Sequence, residues 1–210
     1  CIYARAAHLT LEDCRVEGNQ AIATSGDRGG GGIYAFQSTV AITETVLTDN
    51  QADRDGGGLY LFDTPLTLIR SEIISNSAQS HAGGVYAYNF PSTVYVEKTR
   101  FHDNRAQFGG GGLSLNGPNG TLIDTVFTAN RANGGAALAS NLGTLEVTGG
   151  TFSENEATGG GALSVENADG LTITKTLLQE NRAGQEGGAL RVRNSDAFLE
   201  NVAVVDNTSA

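Results

Sequence analysis

The sequence predicts an all-β protein, a right-handed parallel β-helix of about eight coils, and three observations lead to it. A motif recurs about every 26 residues along the whole chain, the segments between turn signals are short, and apolar and polar residues alternate within them. Helical repeats need amphipathic segments of ten or more residues, and leucine-rich repeats need leucines at fixed offsets. Neither pattern occurs, so each repeat predicts one coil of short strands stacked on the next.

One asparagine marks each repeat, with spacings of 31, 26, 28, 26, 25, 26 and 26 residues. The eight members are Asn19, Asn50, Asn76, Asn104, Asn130, Asn155, Asn181 and Asn207. A large apolar residue stands three positions before each of them, and an alanine follows two positions after the first seven. We expect these amides to point inward at a corner, where each bonds its own turn and the same asparagine one coil away.

The strand that opens each coil follows a run of glycines, which suits a corner with positive φ or a close backbone approach. Its first and third residues are mostly aliphatic, as in Leu59 and Leu61, and a second strand adds pairs such as Leu66 and Leu68. These side chains predict one continuous core over residues 1–210. Because each coil buries its apolar residues only against its neighbours, a single coil should not fold alone.

The outward positions of the opening strands are aromatic in the first four coils, except at Arg5, and become small or polar from the fifth coil onward. Seven of the 14 aromatic residues of the chain belong to this predicted aromatic face: Tyr3, Tyr34, Phe36, Tyr60, Phe62, Tyr86 and Tyr88. Stacked coils would make it an exposed patch of roughly 400–600 Å². Three interpretations are open: mutual support of the rings, an interface with a protein partner or the remainder of the same chain, and a platform for a cell-surface glycan.

Two short motifs resemble those of a known family. One is GGAL, at 160–163 and 187–190, and the other is F-x-x-N, in FHDN, FTAN and FSEN. They resemble the repeats of the chlamydial polymorphic outer-membrane proteins and related β-helix repeats of bacterial surface and secreted proteins. The resemblance implies an extracellular or cell-surface solenoid with an adhesive or structural role. It covers nearly the whole chain and says little about any activity.

Many parallel β-helices cleave polysaccharides, so a lyase or hydrolase is the enzymatic alternative, and it requires acidic residues that converge in a groove on one sheet. The carboxylates here are scattered, and His8, His81 and His102 occupy different positions in the repeat. We therefore expect a non-enzymatic module without a cofactor.

A calcium site is the other chemical alternative, because Asp27 and the pair Asp53 and Asp55 lie in the loops of successive coils. The glycine-rich nonapeptide of calcium-binding β-rolls does not occur in the sequence, and Arg28 and Arg54 stand beside these acids. We therefore expect solvated loops and no metal.

The formal charge of −10, without any run of Lys or Arg, argues against a nucleic-acid partner. No apolar stretch is long enough to insert into a membrane. Cys1 and Cys14 fall in one coil, where they either form a bridge or remain reduced and packed. The chain starts within a coil and no polar cap is readable at its ends, so we expect either a fragment of a longer chain or ends that another chain or domain covers. End-to-end self-association into filaments is a further structural alternative.

Overall fold

The computed structural model describes residues 1–22, 29–89 and 92–210. The described residues form four parallel sheets of eight strands, and each coil contributes one strand to every sheet. This arrangement confirms the predicted parallel β-helix. No helix long and apolar enough to cross a membrane occurs in these residue ranges.

Sheet 1, which contains the opening strands, consists of β1 (Ile2–Arg5), β5 (Ile33–Phe36), β9 (Leu59–Phe62), β13 (Val85–Tyr88), β17 (Leu113–Asn116), β21 (Leu138–Asn141), β25 (Leu163–Glu166) and β29 (Leu190–Arg193). Sheet 2 consists of β2 (His8–Glu12), β6 (Thr39–Thr43), β10 (Leu66–Ile69), β14 (Thr93–Glu97), β18 (Asn119–Ile123), β22 (Thr144–Thr148), β26 (Gly170–Thr174) and β30 (Ala197–Glu200).

Sheet 3 consists of β3 (Arg15–Glu17), β7 (Val46–Thr48), β11 (Glu72–Ile74), β15 (Arg100–His102), β19 (Val126–Thr128), β23 (Thr151–Ser153), β27 (Leu177–Gln179) and β31 (Ala203–Val205). Sheet 4 consists of β4 (Gln20–Ala21), β8 (Gln51–Ala52), β12 (Ser77–His81), β16 (Arg105–Phe108), β20 (Arg131–Ala132), β24 (Glu156–Ala157), β28 (Arg182–Ala183) and β32 (Thr208–Ser209).

The core runs the length of the solenoid, because the register places equivalent residues of successive coils directly beside one another. Leu59, for example, pairs with Val85, and Val85 pairs with Leu113. The inward residues of sheets 1, 2 and 3 belong to one hydrophobic cluster. Within it Phe101, Phe127 and Phe152 stack face to face, with ring centroids 4.5 and 4.8 Å apart. The inward assignments made from the sequence are therefore confirmed.

The predicted asparagine ladder is present along the corner between sheets 3 and 4. The six central members are fully buried, and Asn19 and Asn207 at the ends are half-buried. In each step the backbone N–H and the side-chain Nδ2 donate to the Oδ1 of the asparagine one coil further on, as from Asn76 to Asn104 at 3.1 Å. Nδ2 also donates to a carbonyl of the preceding coil, as from Asn76 to Leu47 at 2.9 Å. For the six buried members this second partner lies one coil back. At the ends of the ladder, Asn19 donates to Glu17 in its own turn, and Asn207 donates both to Leu178 and to Val205 in its own turn.

The residue before each ladder asparagine adopts the left-handed backbone conformation, and only one of these eight residues is a glycine. The residue preceding each asparagine has φ between 51° and 65°: Gly18, Asp49, Ser75, Asp103, Ala129, Glu154, Glu180 and Asp206. A non-glycine residue in this conformation is disfavoured. Because both carboxamide nitrogen and oxygen are bonded at every step, we infer that the ladder holds these corners in place.

The two cysteines match neither of the expected arrangements. Cys1 and Cys14 are free thiols, and both are exposed. The bridge is therefore not formed, and the expected packing of reduced side chains is wrong. Cys14 lies at the start of the column of Thr45 and Ser71, where its backbone N–H donates to the Thr45 hydroxyl at 3.2 Å.

Candidate binding groove

The outer face of sheet 1 begins with two columns of aromatic rings, which we call the ring stack. Tyr3, Tyr34 and Tyr60 stack in parallel at centroid distances of 5.4 and 5.1 Å, and Tyr86 continues this column at a tilt. In the neighbouring column Phe36 and Phe62 lie 5.0 Å apart, and Tyr88 follows at 5.6 Å. The guanidinium of Arg5 lies over the Phe36 ring, 5.6 Å from its centroid.

The predicted exposed patch is wrong at its centre, because the middle of the ring stack is covered. Tyr60 is fully buried, Tyr86 is 6% exposed, and only Tyr3 is largely exposed, at 64%. The corner segment between sheets 4 and 1 folds over this column, and its residue Ala82 packs in one small cluster with Tyr60 and Tyr86. The sequence could not show this cover, because the outward direction of a strand residue does not reveal what a neighbouring loop places over it.

The second column of the ring stack keeps part of its surface. Phe36, Phe62 and Tyr88 are half-buried, and they form a ridge beside the covered tyrosines. The register carries this ridge directly into a polar one, since Tyr88 pairs with Asn116 and Asn116 pairs with Asn141. Rings and amides therefore lie on one line along the solenoid axis.

From the fifth coil onward the same face is an open groove of about 270 Å³. Its walls are the corner segments at Gly109 and Gly134–Gly135, and its floor is the outer face of sheet 1. Glycine is required at 135, because a Cβ there would lie 2.2 Å from the carbonyl oxygen of Leu138. The floor and end of the groove consist of small and polar side chains: Ser114, Asn116, Ala139, Asn141, Ser164, Glu166 and Arg191.

The charges in the groove neutralise one another. Arg191 donates from Nη1 to Glu166 at 2.6 Å and from Nε to Glu186 at 3.3 Å. Arg193 also donates to Glu186, at 3.0 Å. Hydrogen bonds from Arg193 and Arg191 lower the pKa of the Glu186 carboxyl, so this acid is ionised at neutral pH. The groove therefore presents hydrogen-bonding groups with little net charge.

Sequence reasoning missed a second amide chain that borders the groove. Asn194 donates to Asn167, Asn167 to Asn141, and Asn141 to Asn116, with distances of 3.0, 3.1 and 3.1 Å. Asn116 and Asn141 lie at the ends of their strands, whereas the other two lie one position beyond. Because its members occupy two adjacent repeat positions, this row of asparagines does not appear as one column in the sequence. It orients a row of amide groups along the edge of the groove.

A carboxylate–imidazole pair stands between the ring stack and the groove, and this pair was also missed. Asp55 Oδ1 accepts from the His81 ring Nδ1 at 2.9 Å and from the His81 backbone N–H at 3.0 Å. Burial alone would raise the pKa of Asp55, but the hydrogen bonds from His81 and Ser80 outweigh it, and the pKa is lowered. The two residues are 26 positions apart, at one place in the repeat, and that spacing was a signal available in the sequence.

Asp53 and Asp55, two of the three loop acids considered for calcium, have other partners in the described part of the chain. Asp55 is directed at His81, and Asp53 accepts from Gln79 Nε2 at 3.3 Å. Asp27 and Arg28 lie outside the described residues. Among the residues that are described, no group of three or more His, Cys, Asp or Glu side chains could hold a metal ion.

Comparison with known proteins identifies the architecture. The family described as "Right handed beta helix region" matches residues 66–210, which is more than half of the chain. The chain belongs to the right-handed β-helix family. No curated protein and no solved structure matches it. Membership gives this β-helix its hand and leaves its activity open, because the family contains both enzymes and non-enzymes.

Proposed function

We propose that this β-helix is a structural and adhesive module of an extracellular or bacterial cell-surface protein, and that its groove binds a neutral glycan. The observation that carries the proposal is the line of half-buried rings, from Phe36 to Tyr88, that continues into the amides of Asn116 and Asn141. Aromatic faces pack against the apolar faces of sugar rings, and amides bond to their hydroxyl groups.

The spacing of the coils supports a polymeric ligand. Strands of adjacent coils lie about 4.8 Å apart, so equivalent side chains recur at a distance comparable to the length of one pyranose unit. Arg191 and Arg193 together neutralise Glu166 and Glu186, which favours a neutral glycan over an acidic one. The resemblance of the GGAL and F-x-x-N words to polymorphic outer-membrane protein repeats supports the extracellular location.

The experiment is isothermal titration calorimetry with neutral oligosaccharides (cellohexaose, chitohexaose) and an acidic one (hexagalacturonate). We expect a neutral oligosaccharide to bind, and the variant Ala139→Tyr to lose that binding, because a phenol ring at this half-buried position fills the floor of the groove. A surface control, Thr121→Tyr on sheet 2, should bind as the unmodified chain does. Absence of binding to all three oligosaccharides would overturn the proposal.

A protein interface is the second candidate. It is favoured by the exposed ring of Tyr3, the first member of the ring stack. Tyr and Phe are effective anchors at interfaces. This candidate predicts that Tyr3→Ser weakens partner capture while the affinity for oligosaccharides is unchanged. The glycan proposal predicts the reverse order of sensitivity, with Ala139→Tyr as the damaging change.

A further inference from the structure

The Asp55–His81 pair is arranged as a base and its orienting group. Asp55 is 9% exposed, and its Oδ1 and the Ser80 Oγ each lie 2.9 Å from His81 Nδ1. In the tautomer that donates Nδ1–H to Asp55, Nε2 carries no proton and can accept one. The His81 side chain is 43% exposed and lines the groove. Its ring packs parallel to Tyr86, with centroids 5.5 Å apart, so the ring stack holds one face of the imidazole.

A serine hydroxyl lies across a gap from this imidazole, and a glycine creates the gap. Gly109 has φ of 68°, and a Cβ placed on it would lie 3.2 Å from Ser114 Oγ and 3.3 Å from His81 Cδ2. Any larger residue at 109 would therefore separate the two groups. In the described residues no hydrogen bond joins them, so a proton transfer between them requires the hydroxyl and the imidazole to move towards each other. Such contacts commonly tighten only when substrate is bound.

Ser164 is the other serine in the sheet 1 column of Ser114, and none of the described imidazoles lies beside it. Ser164 also lines the groove, but its hydroxyl faces Arg191 Nη1 at 3.5 Å. None of the three histidines of the chain belongs to its coil or to the coil on either side. Ser114 is 5% exposed and lies one coil after His81, which itself lies one coil after Asp55. Acid, imidazole and hydroxyl thus follow one another along the solenoid axis.

We infer that Asp55, His81 and Ser114 form a nucleophilic triad that hydrolyses an acyl ester in the groove. Ser114 Oγ attacks the carbonyl carbon of the ester while His81 Nε2 takes the hydroxyl proton, and Asp55 holds the ring. The proton passes to the departing alkoxide, which leaves as an alcohol. Water then attacks the acyl-serine with His81 again as base, and the acid and free Ser114 are released.

The class of substrate follows from the groove that contains the triad. Gly134 and Gly135 line the same groove and add no side chains to it. In the proposed reaction, backbone N–H groups of this segment stabilise the developing oxyanion. The floor beyond Ser114 is polar and carries little net charge. A small acyl group esterified to a sugar hydroxyl fits both parts. This substrate class rests on the proposed glycan function, whereas the triad does not, and the inference replaces the sequence expectation of a non-enzymatic module.

Two measurements test the triad without any knowledge of the glycan. A fluorophosphonate probe is incubated with the whole chain, and the modified peptide is located by mass spectrometry. We expect the Oγ–P bond to form at Ser114 with loss of fluoride. Hydrolysis of p-nitrophenyl acetate is followed in parallel. His81→Gln should lower both rates by about 100-fold or more, which is the usual contribution of a general base.

The variants separate a catalytic role from a structural one. Ser114→Ala should abolish labelling, whereas Ser153→Ala, a buried serine on sheet 3, should label normally. Asp55→Asn should lower the rate and alter its pH profile while the fold, checked by circular dichroism, is retained. Labelling of Ser114 that is equally fast in His81→Gln overturns the inference, and so does absence of labelling. Oligosaccharide binding by Ser114→Ala tests the glycan proposal separately, because that variant keeps the groove.

Discussion

The two halves of sheet 1 have the same strand arrangement but carry different side chains on the outer face. In the first four coils the outward positions are aromatic except at Arg5, and the corner segment at Ala82 covers Tyr60 and Tyr86. In the last four coils the same positions are small or polar, and the corner segments stand apart as the walls of a groove. One half therefore has a second, outer hydrophobic cluster, and the other has a concave surface.

The difference shows how a repeat protein acquires a site without changing its core. The inward residues of sheet 1 remain mostly aliphatic from Ile33 to Val165. Ring size at the outward position decides whether the corner segment rests on a packed side chain or leaves a space. The Asp55–His81 pair lies at the boundary, where a packed ring on one side meets an open floor on the other.

The largest expected loss of stability comes from removing a buried ring in the covered half. Tyr60→Ala removes a fully buried ring that stacks on Tyr34 and Tyr86, and aromatic-to-alanine changes in a core cost about 3–5 kcal/mol. Ser114→Ala, at the equivalent position of the open half, should change the free energy of unfolding by less than about 1 kcal/mol. Urea denaturation measures both. Equal losses would mean that the two halves do not differ in packing.

The next largest effect is the difference in stability lost when the buried asparagine ladder or the surface row of asparagines is interrupted. Asn104→Ala leaves the backbone N–H and Nδ2 of buried Asn76 without their acceptor, at about 1–3 kcal/mol for each buried group. We expect a loss of at least about 2 kcal/mol. Asn141→Ala interrupts the outer chain beside solvent and should cost about 0.5 kcal/mol or less. A similar cost for both would show that the buried ladder contributes no more than surface hydrogen bonds.

Features set by the repeat itself could be predicted from the sequence, because eight copies repeat the same physical signal. The asparagine column, the inward aliphatic positions and the parallel stacking all follow from period and alternation. The ladder places its members in the interior from Asn50 to Asn181, as expected.

Features set by departures from the repeat were not predictable in the same way. The cover over Tyr60 depends on the path of a loop, and the chain from Asn116 to Asn194 uses two adjacent repeat positions. The proximity of His81 and Ser114 across Gly109 involves residues at different repeat positions, and only coordinates reveal it. The binding role proposed for the ring stack stays a prediction, although the exposed area assumed for it was too large.

The smallest expected effect is the loss of stability at low pH. It differs between the two halves because Asp55 is buried and Glu186 is exposed. The pKa of Asp55 is lower in the folded chain than its ordinary value of 3.8, so its charged form stabilises the fold. That stabilisation is complete above the unfolded pKa and is lost as the pH falls through the folded pKa, below about 4. Glu186 in the open half also has a lowered pKa, but it is exposed and its ion pairs are screened by salt.

Denaturation between pH 5 and pH 3, at low and high salt, checks this comparison. Asp55→Asn should remove part of the acid sensitivity, and the part that it removes should change little with salt because Asp55 is buried. Glu186→Gln should remove a contribution that is present at low salt and disappears at high salt. If Asp55→Asn and the unmodified chain lose stability in parallel over this range, the His81 contact does not favour the ionised carboxylate, and the orienting role of Asp55 fails with it.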